Sequence, residues 1–399
     1  MSRSLPRRAA PLAVGAALAL VAGTGIAYAT DDGTIRGADA PDAVDGRYIV
    51  VLDEDVKADD LASRYGGVVT NTYRSVLTGF SAAMSRDEAE QLAADPAVDE
   101  VRAVQRVQLA PAAAKAPANL GLDRIDQREL PLDGQYTHPD SAGDGTKVYV
   151  IDTGVRFSHK DFEGRASSGP DFVDDDDTAE DCQGNGTALA GIAAGAEHGV
   201  AKKADVVGVR VLDCDGGGTT DDLLAGIDWV TEDAAGTPAV ATLGLGGPAN
   251  DALDKAVAAS IGAGISYALP AGGSGSDACR FSPGRTAEAL TVGGTVTDTD
   301  ARSERSNTGK CLDLFAPSTG ITSASHSDDS ASVPFAGTAA AAAHVAGAAA
   351  LFLADNPEAG PATVSAELTN NSTPDVVTDP GEGSPNLLLY TGFMNSRGD

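Results

Sequence analysis

Three features are scarce in this chain of 399 residues: cysteine, aromatic side chains and positive charge. Four cysteines are too few for a small disulfide-built scaffold, although they suffice for two bridges on a real core. The 28 lysines and arginines stand against 58 aspartates and glutamates, so the net charge of −30 repels phosphate backbones. We therefore expect no nucleic-acid partner. The length and the recurring apolar runs indicate two folded domains and a leader rather than disorder.

The first 29 residues have the pattern of a secretory signal peptide. Arg3, Arg7 and Arg8 precede the apolar stretch 9–22, and the segment 27–29 (Ala-Tyr-Ala) has small residues where signal peptidase cuts. The alternative, a membrane anchor, needs about 20 apolar residues and no cleavage site. No later segment reads as a membrane span, so we expect a secreted, extracellular protein without a membrane partner.

The remaining chain divides into a small body and a large body. The predicted divisions are a linker at 30–44, an α+β module at 45–110, an alanine- and proline-rich linker at 111–119, a large domain at 120–393 and a tail at 394–399. In the large domain, apolar strand segments at 148–151, 206–212, 239–245, 265–269, 289–292 and 312–315 alternate with helical patterns such as 223–230 and 253–263. Such alternation predicts a parallel sheet covered on both faces, with the functional site beyond the carboxyl ends of its strands. Asp152 ends the first strand and is a site candidate, although a capping role is the alternative.

Three segments of the large domain resemble the catalytic motifs of the subtilisin-like serine proteases, and the proteinase K-like branch fits best. Residues 150–155 are similar to the aspartate motif, 181–187 to the histidine motif and 337–347 to the serine motif. The small module resembles the inhibitory propeptide of that family at 46–52 and 77–81. The resemblance implies an α/β fold, a subtilisin-like doubly wound parallel sheet with helices on both faces, preceded by a small α+β propeptide domain.

The resemblance fails at the residues that carry the family's chemistry. Asn185 stands where the family has its general-base His, Ala339 where it has the nucleophilic Ser, and Gly273 where it has the oxyanion Asn. Of the triad only Asp152 remains, with Asn185 as its expected side-chain partner. A methyl group cannot attack a carbonyl, and an amide does not titrate near neutrality. We therefore predict a secreted pseudoprotease that requires no cofactor.

The family binds peptides as an added strand between two edge segments, and the resemblance places those segments in this chain. One edge contains Gly216, Gly217 and Gly218, and the other contains Gly244, Leu245 and Gly246. Backbone hydrogen bonds dominate such binding, so it can persist after the triad is lost. We expect the chain's own propeptide, and peptides or proteins, as partners of a monomeric protein.

The four cysteines form two equally spaced pairs, which the resemblance assigns as Cys182–Cys214 and Cys279–Cys311. Four cysteines allow three pairings, so this choice depends on the resemblance. A structural calcium ion is a further expectation, because hard carboxylate oxygens favour it. The acidic run 174–177, and Asp298 with Asp300, are candidate ligands, with a solvated loop as the alternative.

The five histidines offer no evident replacement base. His344 lies in the serine motif, where the family also has a structural His, and the others are predicted at the surface: His138, His159, His198 and His326. Two other functions stay open. The chain could be an active secreted serine endopeptidase that uses an unrecognised residue, or its propeptide module could inhibit an active relative in trans.

Overall fold

The structure is a computed structural model that describes residues 33–53, 56–109 and 120–395. The predicted signal peptide, the linker 111–119 and the last four residues lie outside these ranges.

Residues 35–108 form a sheet of five strands with two helices. The elements are β1 (Ile35–Arg36), β2 (Ala43–Leu52), α1 (Ala58–Arg64), β3 (Val68–Tyr73), β4 (Gly79–Ala83), α2 (Arg86–Ala93) and β5 (Val98–Gln108). The strand order is β1-β5-β2-β4-β3, and only the β1–β5 pair is parallel. The sheet therefore starts earlier than the predicted module boundary at residue 45, because β1 and the first residues of β2 already pair with β5.

The large domain contains a second and larger sheet. Its elements are α3 (Leu120–Ile125), β6 (Lys147–Asp152), β7 (Ala166–Asp171), α4 (Asn185–Ala194), β8 (Asp205–Arg210), β9 (Gly217–Thr219), α5 (Thr220–Asp233), β10 (Ala239–Leu243), β11 (Gly247–Pro248), α6 (Asp251–Gly262), β12 (Ser266–Pro270), β13 (Phe281–Ser282), β14 (Leu290–Thr295), β15 (Leu314–Pro317), β16 (Ile321–Ala324), β17 (Ser332–Phe335), α7 (Thr338–Asp355), α8 (Pro361–Asn371), β18 (Thr373–Pro374) and β19 (Leu387–Leu388). Short 3-10 helices occur at Lys160–Phe162, Ala278–Arg280 and Gly392–Met394.

The large sheet is buried on both faces, as predicted. Its strand order is β7-β8-β6-β10-β12-β14-β15-β19-β18, and every neighbouring pair except β18–β19 is parallel. Along β6, Val148 and Val150 pack with residues of α4 and α7, whereas Tyr149 and Ile151 pack with residues of α5 and α6 on the other face. The alternation of side chains along a strand explains this two-sided core. The structure thus confirms the doubly wound fold.

The helix α7 corrects one expectation from the sequence. By length and composition its 18 residues could cross a membrane, although no such segment after the signal peptide was expected. In the fold, 83% of this helix is buried, and it packs against α4 and several strands of the large sheet. Its apolar composition is therefore that of a core helix.

The large domain contributes one strand, β9, to the sheet of the small module. This short strand of the large domain pairs antiparallel with β5, so that Arg106, Val107 and Gln108 lie opposite Thr219, Gly218 and Gly217. The β9 strand thereby becomes the sixth strand of the module's sheet.

Candidate active site

Asp152 lies where the strand order of the large sheet reverses. Strand β6 is central, and the chain first builds outward to β7 and β8 before it crosses to β10 on the other side. The carboxyl end of such a strand borders the crevice where open α/β sheets place their ligands. Asp152 is the last residue of β6 and is fully buried.

Asn185 is brought to Asp152 by the loop that precedes α4. The carboxylate of Asp181 accepts hydrogen bonds from the backbone N–H groups of Gln183 and Gly184 and shapes this loop. Gly184 then adopts φ = 112°, in the left-handed region that favours glycine, and Asn185 begins the helix. Its Nδ2 lies 3.0 Å from both carboxylate oxygens of Asp152. The predicted pair is therefore in contact.

Every hydrogen-bond donor to Asp152 in the described chain is neutral. Besides the Asn185 amide, the backbone N–H of Thr153 donates at 2.8 Å and that of Gly244 at 3.1 Å. Burial raises the pKa of Asp152 to about 6, and the nearby charge of Asp181 acts in the same direction. The three donors oppose this rise without cancelling it. The site thus buries a carboxylate that no cation balances within the described residues.

One cavity of about 400 Å³ contains the three positions at which the sequence predicts that catalytic residues are lost. Asn185, Gly273 and Ala339 all line it, and so does the predicted cleft edge Gly244–Gly246. Its apolar walls include Pro270, Ala271, Phe281 and Phe335. The fold therefore brings together residues that are far apart in the sequence.

Ala339 lies in the first turn of α7. The N–H groups of Ala340 and Ala341 donate to the carbonyl of the N-cap residue Gly337. Thr338 and Ala339 both line the cavity, where the side chain of Ala339 presents only a methyl group.

The second predicted cleft edge is already paired with the small module. The strand β9 contains Gly217 and Gly218, and the N–H of Leu109 donates to the carbonyl of Gly216 at 3.0 Å. The final residues of β5 thus lie along the cleft as an added strand, the mode of peptide binding that the sequence predicted. Gly216–Gly218 do not line the cavity, whereas Gly244–Gly246 do.

Acidic residues of α5 hold the module in place, and the sequence did not reveal them. Asp228 accepts hydrogen bonds from the backbone N–H groups of residues 74–76, with distances between 2.6 and 3.1 Å. Arg47 forms an ion pair with the buried carboxylate of Asp221. The acids stand on a helix that directly follows the predicted cleft edge, but no pattern in the sequence indicated which surface they face.

The positions of the histidines correct one expectation and leave the others open. His159 is buried rather than exposed, because its Nδ1 accepts the N–H of Asp161 and its Nε2 lies 2.9 Å from the carbonyl of Ala331. His344 is fully buried, and burial lowers its pKa to about 4. The ring of His326 lies close to Gly184. In the described chain, none of the five histidines lines the cavity.

The structure confirms both predicted disulfides, Cys182–Cys214 and Cys279–Cys311. It gives no support to calcium at the candidate acids. Asp300 pairs with the buried Arg124 at 2.6 Å, and Asp174 pairs with Arg210 at 2.6 Å. No group of three or more His, Cys, Asp or Glu residues suited to a metal occurs within the described ranges. Asp174 and Asp300 are thus engaged with arginines, and the calcium expectation stays a prediction.

The switch-point aspartate, the doubly wound sheet and the module paired along the cleft together define a subtilisin-like protein preceded by its propeptide. The chain belongs to the subtilase family, whose profile matches residues 143–391, and the peptidase inhibitor I9 profile matches residues 47–110. It is 42% identical over 392 residues to an extracellular serine proteinase of Thermus sp. (strain Rt41A), covering 92% of this chain and 94% of that protein.

Two further relatives agree with this assignment. Alkaline serine exoprotease A of Vibrio alginolyticus is 42% identical over 373 residues, which are 88% of this chain and 69% of the exoprotease. The crystal structure of a cold adapted subtilisin-like serine proteinase matches with a TM-score of 0.66 and 47% identity, over 69% of this chain and 98% of that structure. These relatives are named as a serine proteinase, a serine exoprotease and a subtilisin-like serine proteinase.

Proposed function

We propose that this chain is a secreted subtilase homologue that does not hydrolyse peptides and whose cleft binds them. The proposal is based on one observation: Asn185, Gly273 and Ala339 line the same cavity. These are the positions of the base, the oxyanion donor and the nucleophile, so the loss of function is concentrated where the reaction would occur. Secretion rests on the N-terminal signal pattern and on a relative that is named extracellular.

Each of the three substitutions removes a separate part of acyl transfer. Ala339 has no oxygen to attack a carbonyl, and Asn185 cannot accept and return a proton. Gly273 has no side chain to donate to a developing oxyanion, which leaves backbone donors alone. In an active subtilisin, loss of the Ser or the His alone costs about 10⁶ in turnover. The remaining groups therefore support negligible hydrolysis.

Peptide binding does not depend on those side chains. The antiparallel pairing of β5 with β9 places residues 106–108 opposite 217–219 through the backbone, and it aligns an extended strand with the cleft. The same pairing favours a second candidate function, in which the module at 33–109 inhibits a related protease in trans. That candidate predicts that the module slows casein hydrolysis by an active proteinase K-like enzyme.

The decisive test compares the natural chain with a revertant. The natural chain should neither digest casein nor take label from a fluorophosphonate probe. The triple variant N185H, G273N and A339S should gain hydrolysis, and the Asn at position 273 has room because a Cβ there meets no atom of the described chain within 4 Å. The matched control is N185H with G273N, which keeps Ala339 and should stay inert.

Two results would contradict the proposal. Covalent labelling of the natural chain, or turnover that a serine-protease inhibitor abolishes, would show an active endopeptidase. An active double variant that keeps Ala339 would reveal another nucleophile. A folded but inert triple variant would mean that the cleft has changed beyond the three positions.

A further inference from the structure

The cavity beside Asn185 and Ala339 contains a single ionisable side chain. Among the described residues that line it, only Arg305 carries a charge, and none is Asp, Glu, Lys or His. The rest are glycine, apolar residues and neutral polar residues such as Ser306 and Asn307. In a chain of net charge −30, this cavity therefore has a local charge opposite to that of the molecule.

Arg305 is an exposed residue that lines the cavity wall and keeps most of its donors free. Its Nε donates to the carbonyl of Gly273 at 3.2 Å, which places the guanidinium beside the position of the missing oxyanion Asn. Within the described ranges, no carboxylate lies within 4.0 Å of this guanidinium, and its two terminal nitrogens have no hydrogen-bond acceptor. Arginine presents such nitrogens as a fork that matches a carboxylate bidentately.

The acidic residues discussed next do not form an ion pair with Arg305. Asp152 lies behind Asn185, to which both of its oxygens are bonded. Arg302 is engaged with Asp379 and with the backbone carbonyls of Ser303, Glu304 and Ser306, and it does not itself line the cavity. Glu304 is exposed and makes no ion pair with its neighbour within the described chain.

The chain itself supplies no carboxylate for Arg305 from the segment that follows β5. Residues 110–119 read Ala-Pro-Ala-Ala-Ala-Lys-Ala-Pro-Ala-Asn and contain no acid. Gly273 leaves open space beside the guanidinium, because a Cβ there would contact nothing within 4 Å among the described atoms. A carboxylate from another molecule would find both the space and an unpaired donor there.

We propose that this cleft selects peptides that present a carboxylate to the cavity, and that Arg305 is the residue that binds it. The carboxylate comes from an acidic side chain or from the peptide's C-terminus, since the guanidinium recognises the same group in both. The proposal deepens the proposed function and rests on it, because the peptide must lie in the cleft. Because Arg305 is exposed, a pair of this kind should strengthen binding up to about fivefold.

The test measures dissociation constants of fluorescent peptides for the full-length protein at constant ionic strength. In the first series, Glu is moved through every position of an amidated alanine hexapeptide, and each peptide is compared with its Gln counterpart. In the second series, the alanine hexapeptide carries either a free acid or an amide at its C-terminus. We expect up to about fivefold tighter binding at one Glu position, or of the free acid, and the series that shows it identifies the source.

Two variants assign the preference to Arg305. In R305Q the preference for the carboxylate should disappear, while binding of the Gln and amide peptides is retained. R280Q is the matched control, because it removes the same charge from an exposed residue that does not line the cavity. It should keep the preference.

The outcomes separate this proposal from the proposed function. Equal binding of the acidic and neutral peptides, or a preference that persists in R305Q, would overturn the role of Arg305 and leave peptide binding intact. Failure of every peptide to bind, at concentrations above the effective concentration of the tethered module (on the order of millimolar), would overturn peptide binding and this proposal together. Cleavage of the peptides would overturn the absence of catalysis.

Discussion

Replacing Asp152 by Asn should change how the stability of this protein depends on pH. Burial raises the pKa of Asp152 from 3.8 to about 6 in the folded chain. A carboxyl group whose pKa is higher in the folded state stabilises the fold at low pH, and that contribution is lost as the pH rises from about 4 through about 6. The difference corresponds to about 3 kcal/mol of unfolding free energy.

The Asn side chain removes the buried charge but does not reproduce all the hydrogen bonds. The carboxylate accepts from Asn185, from the N–H of Thr153 and from the N–H of Gly244. An Asn at position 152 has one oxygen, so its NH2 group must face at least one of these donors, at a cost of about 1–3 kcal/mol. At pH 8 the free-energy cost of the lost hydrogen bond and the gain from removing the buried charge nearly cancel. At pH 4 only the cost remains.

The assay is chemical unfolding of the natural chain and of D152N at five values of pH between 4 and 8. The stability of D152N relative to the natural chain should rise by about 3 kcal/mol across that range. D144N is a matched control, because Asp144 is exposed, and it should track the natural chain. A difference that stays constant with pH would refute the reasoning. A loss above about 4 kcal/mol at pH 8 would mean that Asp152 has an unrecognised partner.

Three further outcomes follow from the structure. Reduction of the disulfides should lower stability by about 3–4 kcal/mol for each bridge in the chain-entropy model, as seen in thermal melts, and free thiols in a non-reducing peptide map would contradict the pairing. Intact-mass analysis should find the propeptide retained when the host lacks other extracellular proteases, whereas a mature species that begins at 112–115 would show self-processing. D228A leaves the buried N–H groups of residues 74–76 without their acceptor, so the module should become cleavable by added trypsin at least tenfold faster, and unchanged protection would exclude this anchor.

The strands of the large sheet could be predicted because their sequences are almost wholly apolar. All six predicted strands occur in the structure, within a few residues of the expected bounds. Other strands escaped prediction, among them β3 and β7. Both β3 and β7 lie at sheet edges and carry polar side chains, and Val68 on β3 is 68% exposed. An edge strand needs only one neighbour and one buried face, so its apolar signal is weak.

The candidate site was predictable only as far as the motifs extend. The contact between Asp152 and Asn185 follows from motif positions that the fold preserves. Arg305 lies outside every motif, and the sheet brings it to the cavity through residues distant in the chain. The burial of His159 also depends on a distant segment, because its ring bonds to the carbonyl of Ala331. Local sequence patterns contain no information on such contacts.

The shared sheet gives the cleft a built-in competitor. The module is attached to the large domain through β9 and also through the continuous chain at 110–119. A tethered ligand acts at an effective concentration on the order of millimolar. While the chain is uncut, an external peptide must therefore compete with the module at this effective concentration. A single cleavage between residues 110 and 119 would turn the module into a dissociable subunit, so that dilution alone could open the cleft.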